Sequence, residues 1–473
     1  MALERELKFR LSARAAARVA RALALGAAER LASIYYDTPD LELRRARVAL
    51  RLRRSGRRWL QTVKCDLSPL ARGEWESEAP AGRLDLARLP LAEIRETSGI
   101  DLGALAARLA PKFETRFARR SAELHFDDAT IEPALDRGML LAGKRRASIL
   151  ELELELKTGE PRALLCYARS LVGPFGLQLA LESKAERGYR LAQGGALPPP
   201  RKWQAPGLAN ATPGVALAEL AGAALAQACA NAAGVLASDD PEYLHQLRVA
   251  LRRLRATLSA FRALEPKVQG LKRRLRSFSR PLGAARDWDV FVASLPKGSA
   301  LAARARVRQR KTRIAARAVV AGAAFNDFLL YGFEWVERAR WQSSSPPMAE
   351  FAAAALERLH GKAVKLGERI DWQAPRERHA LRIRVKRLRY ACDSLAACFA
   401  AAAVQPYLAA LEALQDNLGE LNDMALERRL AAELDGAAVL EPRLARRERA
   451  AIARLSRDWA AFAERWPFWR SGS

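Results

Sequence analysis

The chain is poor in cysteine, histidine, aromatic residues and long uncharged runs, and each shortage removes a class of function. Its five cysteines (Cys65, Cys166, Cys229, Cys392 and Cys398) are odd in number and form no CxxC pair. That argues against a disulfide framework and a thiolate zinc site, and fits a reducing compartment. Aromatics make up 7% of 473 residues, too few among the basic segments to build stacking platforms for single-stranded nucleic acid. The one long uncharged run, Leu220 to Ser238, is mainly alanine with Gln227 and Asn231; it reads as a buried bundle helix rather than a membrane span. Charges at positions 4, 5, 6 and 8 are not those of a signal peptide, so a cytoplasmic protein is expected.

Acid is also scarce relative to base. Eighty Lys+Arg against 53 Asp+Glu give a formal charge of +27, which points to a polyanionic partner and says nothing of fold. A chain of this length is expected to hold two or three domains, and its alanine- and arginine-rich composition favours helix over most of its length.

The first 190 residues depart from that composition. In a strand, alternate side chains share a face, so Glu4, Glu6, Lys8 and Arg10 oppose Leu3, Leu7 and Phe9. By itself this stretch reads as a wet edge strand. The pattern then recurs, after a helical stretch at Ala13 to Leu25 and a short strand from Ile34 to Thr38. Arg51 and Arg53 alternate with Leu50 and Leu52; a hairpin at Ser55-Gly56 leads into Arg58 to Lys64; Glu74, Glu76 and Glu78 follow. Strands are expected at Thr115 to Arg119, Ala122 to Phe126, and Ile131 to Asp136 before a turn at Arg137-Gly138. The clearest pairs Glu151, Glu153, Glu155 and Lys157 against Leu150, Leu152, Leu154 and Leu156. Closure into a barrel would set carboxylates for a metal against arginines for phosphate; the pattern reads equally well as a set of solvated outer faces.

The ordered set Glu4-x-Glu6-x-Lys8, Tyr35-Tyr36-Asp37-Thr38, Arg51-x-Arg53, Thr62-Val63-Lys64, Glu151-x-Glu153-x-Glu155-x-Lys157 and Ser183-Lys184-x-x-Arg187-Gly188-Tyr189 resembles the CYTH family of triphosphate tunnel metalloenzymes. The resemblance implies an eight-stranded antiparallel tunnel with flanking helices over residues 1–195, hydrolysing a triphosphate with Mg²⁺ or Mn²⁺. Carried over by position, Glu4, Glu6, Glu153 and Glu155 would hold metal. Lys8, Arg51, Arg53, Lys64, Arg116 and Lys184 would bind phosphates. Glu74 and Glu76 match a further acidic strand, and Lys144, Arg145 and Arg146 lie just before the last one. A triphosphate needs its charge neutralised before water attacks, which cations and a hard, oxygen-ligated metal supply.

A Pro/Gly-rich linker, residues 196–213, ends the alternation. Beyond it, residues 214–473 are helical in spacing and contain a repeat, with halves at about 214–340 and 345–473. His245-Gln246-Leu247-Arg248 through Arg252-Arg253-Leu254-Arg255 aligns with His379-Ala380-Leu381-Arg382 through Lys386-Arg387-Leu388-Arg389, and Leu282-Gly283 through Asp287 aligns with Leu418-Gly419 through Asp423. His245, Arg248, Arg252 and Arg255 share one helix face, and His379, Arg382, Lys386 and Arg389 its copy. Neither face carries an acid, which suits an anion site shared between the repeats. Gly283 and Gly419 read as helix ends.

These residues, with Arg253 and Arg387, resemble the CHAD family, which implies two repeated four-helix bundles that bind inorganic polyphosphate and an α+β multidomain chain overall. The second repeat has Lys386 where the first has Arg252, a point charge in place of a fork. The combined expectation is a cytoplasmic enzyme, associated with polyphosphate granules, that cleaves inorganic triphosphate to pyrophosphate and phosphate and binds inorganic polyphosphate, with no membrane partner. Two rival expectations stand beside it: hydrolysis of an organic triphosphate such as thiamine or nucleoside triphosphate, and a non-catalytic polyanion binder with nucleic acid as ligand.

Overall fold

Residues 2–68, 70–208, 211–264, 268–339 and 346–470 are described by a computed structural model. The N-terminal elements are β1 (Ala2–Arg10), α1 (Ala13–Ala22), β2 (Glu29–Asp37), α2 (Glu42–Arg45), β3 (Val48–Ser55), β4 (Arg58–Ser68), β5 (Ala71–Glu78), α3 (Leu91–Ser98), α4 (Leu102–Leu105), β6 (Ala110–Ser121), β7 (Leu124–Phe126), β8 (Ala129–Ala142), β9 (Arg145–Thr158), α5 (Pro161–Phe175), β10 (Gln178–Ala180) and α6 (Lys184–Ala192). Eight of the ten strands close on themselves in the order β1-β5-β4-β3-β2-β6-β8-β9 and back to β1, antiparallel throughout. β7 and β10 are short additions beside β8 and β1.

The alternation read from the sequence decides which way each strand faces. Leu50, Val63 and Trp75 point outward and pack with Ile94 of α3 and Leu102 of α4, so the charged residues between them face the lumen. Leu152 and Leu154 of β9 are fully buried. The lumen itself is divided. Leu31, Tyr35, Phe113, Phe117, Leu140 and Ile149 lie on the inward faces of their strands and pack with Tyr189 and Leu191 of α6. That helix therefore plugs one end with an apolar core, and the charged groups occupy the rest. A capping box starts α6: the Ser183 hydroxyl accepts from the Glu186 N–H, and the Glu186 carboxylate accepts from the Ser183 N–H. The cap fixes Lys184 at the first helical position.

The turn expected at Arg137-Gly138 is absent, because β8 runs straight through both residues. Gly138 serves a different end. A Cβ there would lie 2.1 Å from the Arg116 carbonyl oxygen, so only glycine lets β6 and β8 approach so closely.

The C-terminal region is wholly helical: α7 (Pro213–Ala237), α8 (Pro241–Ala260), α9 (Val268–Ser294), α10 (Ala300–Ala321), α11 (Ala323–Ala339), α12 (Met348–Gly367), α13 (Pro375–Leu395), α14 (Ala401–Ala432) and α15 (Ala437–Ala463). Two sets of four helices flank α11. In the first, α7 packs on α8 and α8 on α9; in the second, α12, α13, α14 and α15 pack in succession. α7 is long and apolar enough to cross a membrane, but two thirds of its apolar stretch is buried. Its polar side chains are paired: Gln227 bonds Gln246, and Asn231 donates to the Gln227 carbonyl. Gly283 and Gly419, read as helix ends, lie inside α9 and α14.

Contacts divide the chain into two compact units, residues 1–201 with 321–334, and residues 202–320 with 335–473. Residues 321–334, far away in sequence, thus belong with the tunnel.

Candidate functional sites in the tunnel and the helical repeats

The register of β1 assembles the tunnel site. Glu6 pairs with Glu155, Lys8 with Glu153 and Arg10 with Glu151 across to β9, while Glu4 faces Arg72 of β5. Two carboxylate-bearing strands are therefore neighbours, and cations lie between their charges. Lys8 bonds Glu6 and lies 3.9 Å from Glu153. Lys64 bonds Glu4 at 2.5 Å and Glu74 at 3.3 Å. Arg72 bridges Glu6 and Asp66, each at 2.7 Å. Burial would raise the Glu6 carboxyl, but Lys8, Lys64 and Arg72 together hold it down at about 2.

The opposite side is basic and less compensated. Arg51 has Tyr35 and, at 3.7 Å, Glu74, which keep its affinity for a proton high against its burial. Arg53 has no ion-pair partner among the described residues, and its Nε is buried without a hydrogen bond. Burial, with repulsion from Arg51 and Arg119, pushes its guanidinium down to about 10. An anion placed there would remove both penalties.

Deeper in, three carboxylates, Asp136, Glu151 and Glu153, have oxygens within 4.8 Å of one another. Protein cations already fill that group. Lys184 lies 2.6 Å from Asp136, 2.5 Å from Glu151 and 2.8 Å from Glu153; Arg119 pairs with Asp136 at 2.7 Å and with Glu153, and Arg187 with Glu151. Burial opposes charge on both sides. Even so, Lys184 and Arg119 hold Glu153 ionised, and Glu153 and Glu151 keep Lys184 protonated. Glu4, in contrast, uses one oxygen on Lys64 and leaves Oε2 buried with no partner. Nearby Glu155 is raised by its own burial and by the Glu4 charge. The region of Glu4, Glu6 and Glu155 is therefore where an oxygen-liganded cation fits best.

The structure thus gathers Glu4, Glu6, Lys8, Arg51, Arg53, Lys64, Glu153, Glu155 and Lys184 on one lumen, with Glu74 beside Lys64 and Glu76 accepting from the Thr62 hydroxyl. Arg116 is a correction: its side chain is two-thirds exposed on the outer face and bonds Glu114. Arg119, on the opposite parity of the same strand, turns inward instead. Lys144, in the turn before β9, and Arg145 and Arg146, the first two residues of that strand, are exposed. Sequence reasoning also passed over Arg72, Asp136 and Arg187. Asp136 stood as the last residue of an expected strand that in fact continues to Ala142, and was given no role; Arg187 stood in the motif with no role given.

In the helical unit, α8 and α13 pack together and bring the two basic faces into mutual electrostatic reach. Arg248 is pushed down to about 10 by burial and by Arg252. Lys386 is pushed down to about 7 by burial, then Arg382, Arg252 and Arg248. His245 is lowered by burial and Arg286, as expected for an imidazole among arginines. His379 donates from Nδ1 to the Asn422 Oδ1 at 3.0 Å, and Arg255 donates to the Ser279 hydroxyl at 2.8 Å. Gly283 makes room for this cluster, since a Cβ there would sit 2.9 Å from Arg248 Nη1.

Two of the predicted basic residues are committed elsewhere. Arg253 bonds Asp393 at 3.1 Å between the rings of Trp203 and Tyr390, 4.8 and 4.9 Å away. Arg389 pairs with Glu412 at 2.7 Å. Arg387 borders a further basic group that includes Lys272 and Lys362, which burial and Arg387 both lower.

Residues 2–189 match the CYTH domain and residues 219–432 the CHAD domain. An inorganic triphosphatase of Haemophilus influenzae is 29% identical over 168 residues, which is 34% of this chain and 46% of that protein. The chain thus spans about half the length of that relative. Among solved structures, the CHAD domain of the plant Ricinus communis is 31% identical, with a TM-score of 0.47, over 55% of this chain and 91% of its own. A Pyrococcus horikoshii protein is 19% identical, with a TM-score of 0.28, over 39% of this chain and 96% of its own.

Proposed function

This chain is a CYTH domain followed by a CHAD domain, and on that premise we propose that it hydrolyses inorganic triphosphate to pyrophosphate and phosphate in the tunnel and binds inorganic polyphosphate on the helical repeats. The observation that carries the reading is Arg53, a buried guanidinium without an ion-pair partner among the described residues, directly across a closed lumen from a carboxylate wall. A neutral or cationic ligand would leave that charge uncompensated; a phosphate chain matches it. The similarity to an inorganic triphosphatase supports the same substrate class.

Arg51 and Arg53 would grip phosphate oxygens as forks, with Lys8 and Lys64 neutralising charge from the acidic side. Glu4, Glu6 and Glu155 would hold Mg²⁺ or Mn²⁺, with Glu153, whose oxygens are taken by Lys184 and Arg119, behind them, and the buried, partnerless Oε2 of Glu4 fits such a ligand. Such a cation supplies Lewis-acid polarisation of a phosphoryl oxygen. Lys184 and Arg119 do not serve as free phosphate ligands in this arrangement. They hold Asp136, Glu151 and Glu153 in place and keep those carboxylates ionised. On the helical unit, Arg248, Arg252, Arg382 and Lys386 form the anion seat, with Arg253 bracing α8.

The 473-residue chain should release phosphate from inorganic triphosphate only with Mg²⁺ or Mn²⁺, and should prefer it over thiamine triphosphate and ATP. Glu4→Ala and Glu153→Ala should each abolish release. Full activity in both variants, or a strong preference for an organic triphosphate, overturns the tunnel reading. Long-chain polyphosphate should bind and should resist displacement by RNA at fixed salt, and Arg252→Ala should weaken it; efficient displacement overturns the polyphosphate reading.

A further inference from the structure

β10 is an edge strand. It pairs with β1 through Lys8↔Ala180, Phe9↔Leu179 and Arg10↔Gln178, and among the described residues no strand lies on its other side. Three residues of pairing are marginal by themselves, yet this strand sets the position of the β1 segment that carries Lys8. Together, Glu6, Lys8, Ala71, Arg72, Ala180 and Leu181 line a cleft at the mouth of the charged lumen. Whatever fixes β10 therefore fixes one wall of that cleft.

What fixes it comes from 147 residues further along the chain. The Leu179 N–H, on the outer edge of β10, donates to Asn326 Oδ1 at 2.8 Å. Asn326 is itself held by a bond from its Nδ2 to the Gly322 carbonyl at 2.9 Å, and its side chain is almost fully buried. The next residue, Asp327, and Glu334, about two turns further on, take two nitrogens of one guanidinium. Arg169 of α5 donates from Nε to Asp327 at 2.8 Å and from Nη1 to Glu334 at 2.7 Å, and lies over the Tyr331 ring at 5.0 Å. Arg162 of the same helix approaches Glu334 at 3.7 Å. Glu334 is buried to 5% exposure, where a carboxylate is stable only with such partners. The sequence places residues 321–334 in the helical region, yet these contacts put them in the tunnel unit.

We propose that residues 321–334 are a positioning element of the tunnel: Asn326 caps the open edge of β10, the Arg169 fork locks the segment to α5, and together they hold the β1 register that aims Lys8 into the lumen. Asn326 and Arg169 touch no phosphate themselves. They act through the Phe9–Leu179 pairing, so their loss loosens ligand binding and leaves the hydrolytic groups intact. The effect on substrate rests on the triphosphatase reading above; the effect on strand order does not.

The test uses the whole 473-residue chain. In Asn326→Ala, amide hydrogen exchange at residues 178–180 and 8–10 should rise at least tenfold. The KM for inorganic triphosphate should rise about fivefold, with kcat within twofold of the parent. Asn326→Asp keeps the acceptor and should restore most of the protection and the KM. Arg169→Lys, at a less buried position, supplies a second perturbation if Asn326→Ala does not fold, and should move the same two readouts in the same direction. Unchanged exchange at residues 8–10 in the folded variant overturns the proposal, and so does a fall in kcat with KM fixed. If the parent does not cleave inorganic triphosphate, the exchange arm still decides the brace while the substrate reading alone fails.

Discussion

Replacing Arg53 by methionine should make the tunnel more stable and nearly inactive. Burial and the charges of Arg51 and Arg119 have taken this guanidinium down to about 10, from the ordinary arginine range above 12. At about 1.4 kcal/mol per tenfold change in proton affinity, that corresponds to roughly 3 kcal/mol of unfavourable energy in the resting fold. Relaxation and water in the open lumen reduce what a substitution recovers, so a gain of about 1–3 kcal/mol is expected for Arg53→Met, whose side chain fills similar space without charge. Catalysis should fall by roughly a hundredfold or more, as for loss of one preorganised charge-stabilising donor. Arg51→Met is the internal control. Arg51 has Tyr35 and Glu74 as partners, so its loss removes favourable pairing, leaving Glu74 with Lys64 alone, and should destabilise the same unit. The assay is thermal unfolding with and without inorganic triphosphate; the ligand-shifted transition identifies the tunnel unit. Arg53→Met should raise that transition by a few degrees without ligand and show a smaller ligand-induced shift. A lower transition in Arg53→Met would mean that Arg53 holds the barrel together, and its role as an anion seat would be refuted.

Polyphosphate affinity should depend on pH through Lys386. Its ammonium is pushed down to about 7 in the free protein, and a bound anion raises it, so binding takes up a proton above that pH. Affinity should be greatest below pH 7 and fall as pH rises from 7 to 9, measured by titration calorimetry in buffers of different ionisation enthalpy; a flat profile would exclude Lys386 from the seat. The two aligned glycines should behave differently. Gly283→Ala puts a Cβ 2.9 Å from Arg248 Nη1, whereas nothing lies within 4 Å of a Cβ at Gly419, so only the first should weaken polyphosphate binding, by about threefold to tenfold. In the barrel, Gly138→Ala meets a backbone carbonyl at 2.1 Å and should cost about 3 kcal/mol, read as loss of the ligand-shifted transition at the growth temperature or below.

Much of the tunnel was legible because a barrel strand announces its faces by parity. Glu4, Glu6 and Lys8 against Leu7 and Phe9, and Glu151, Glu153 and Glu155 against the intervening leucines, left little choice once closure was assumed. Parity also exposes the error at Arg116. Arg116 and Arg119 sit on opposite faces of β6, and the inward one is the one in step with Thr115 and Phe117, both buried. Glycine misled in both halves. As a residue that often ends elements, Gly138 was read as a turn and Gly283 and Gly419 as helix ends; Gly138 is instead a place where another strand's backbone comes too close for a Cβ, and Gly283 one where the end of the Arg248 side chain rests against the helix. The basic faces of α8 and α13 were legible from helical spacing. The diversion of Arg253 to Asp393, 140 positions away, was not, because local spacing carries no information about a partner on another helix.

The sequence by itself determined the period of most elements, the charge of each face and the change from strand to helix spacing after the tunnel half, since all of these follow from local spacing. Only the tertiary structure decided which cations spend their charge on protein carboxylates and which stay open to a ligand. Lys184 is held by three acids, Arg253 by an aspartate and two rings, while Arg53 has no ion-pair partner among the described residues. It also decided that residues 321–334 brace the tunnel. The physical reason is the same in each case: an ion pair or an edge cap is made between segments distant along the chain, and its strength depends on burial and distance, which a linear pattern does not contain.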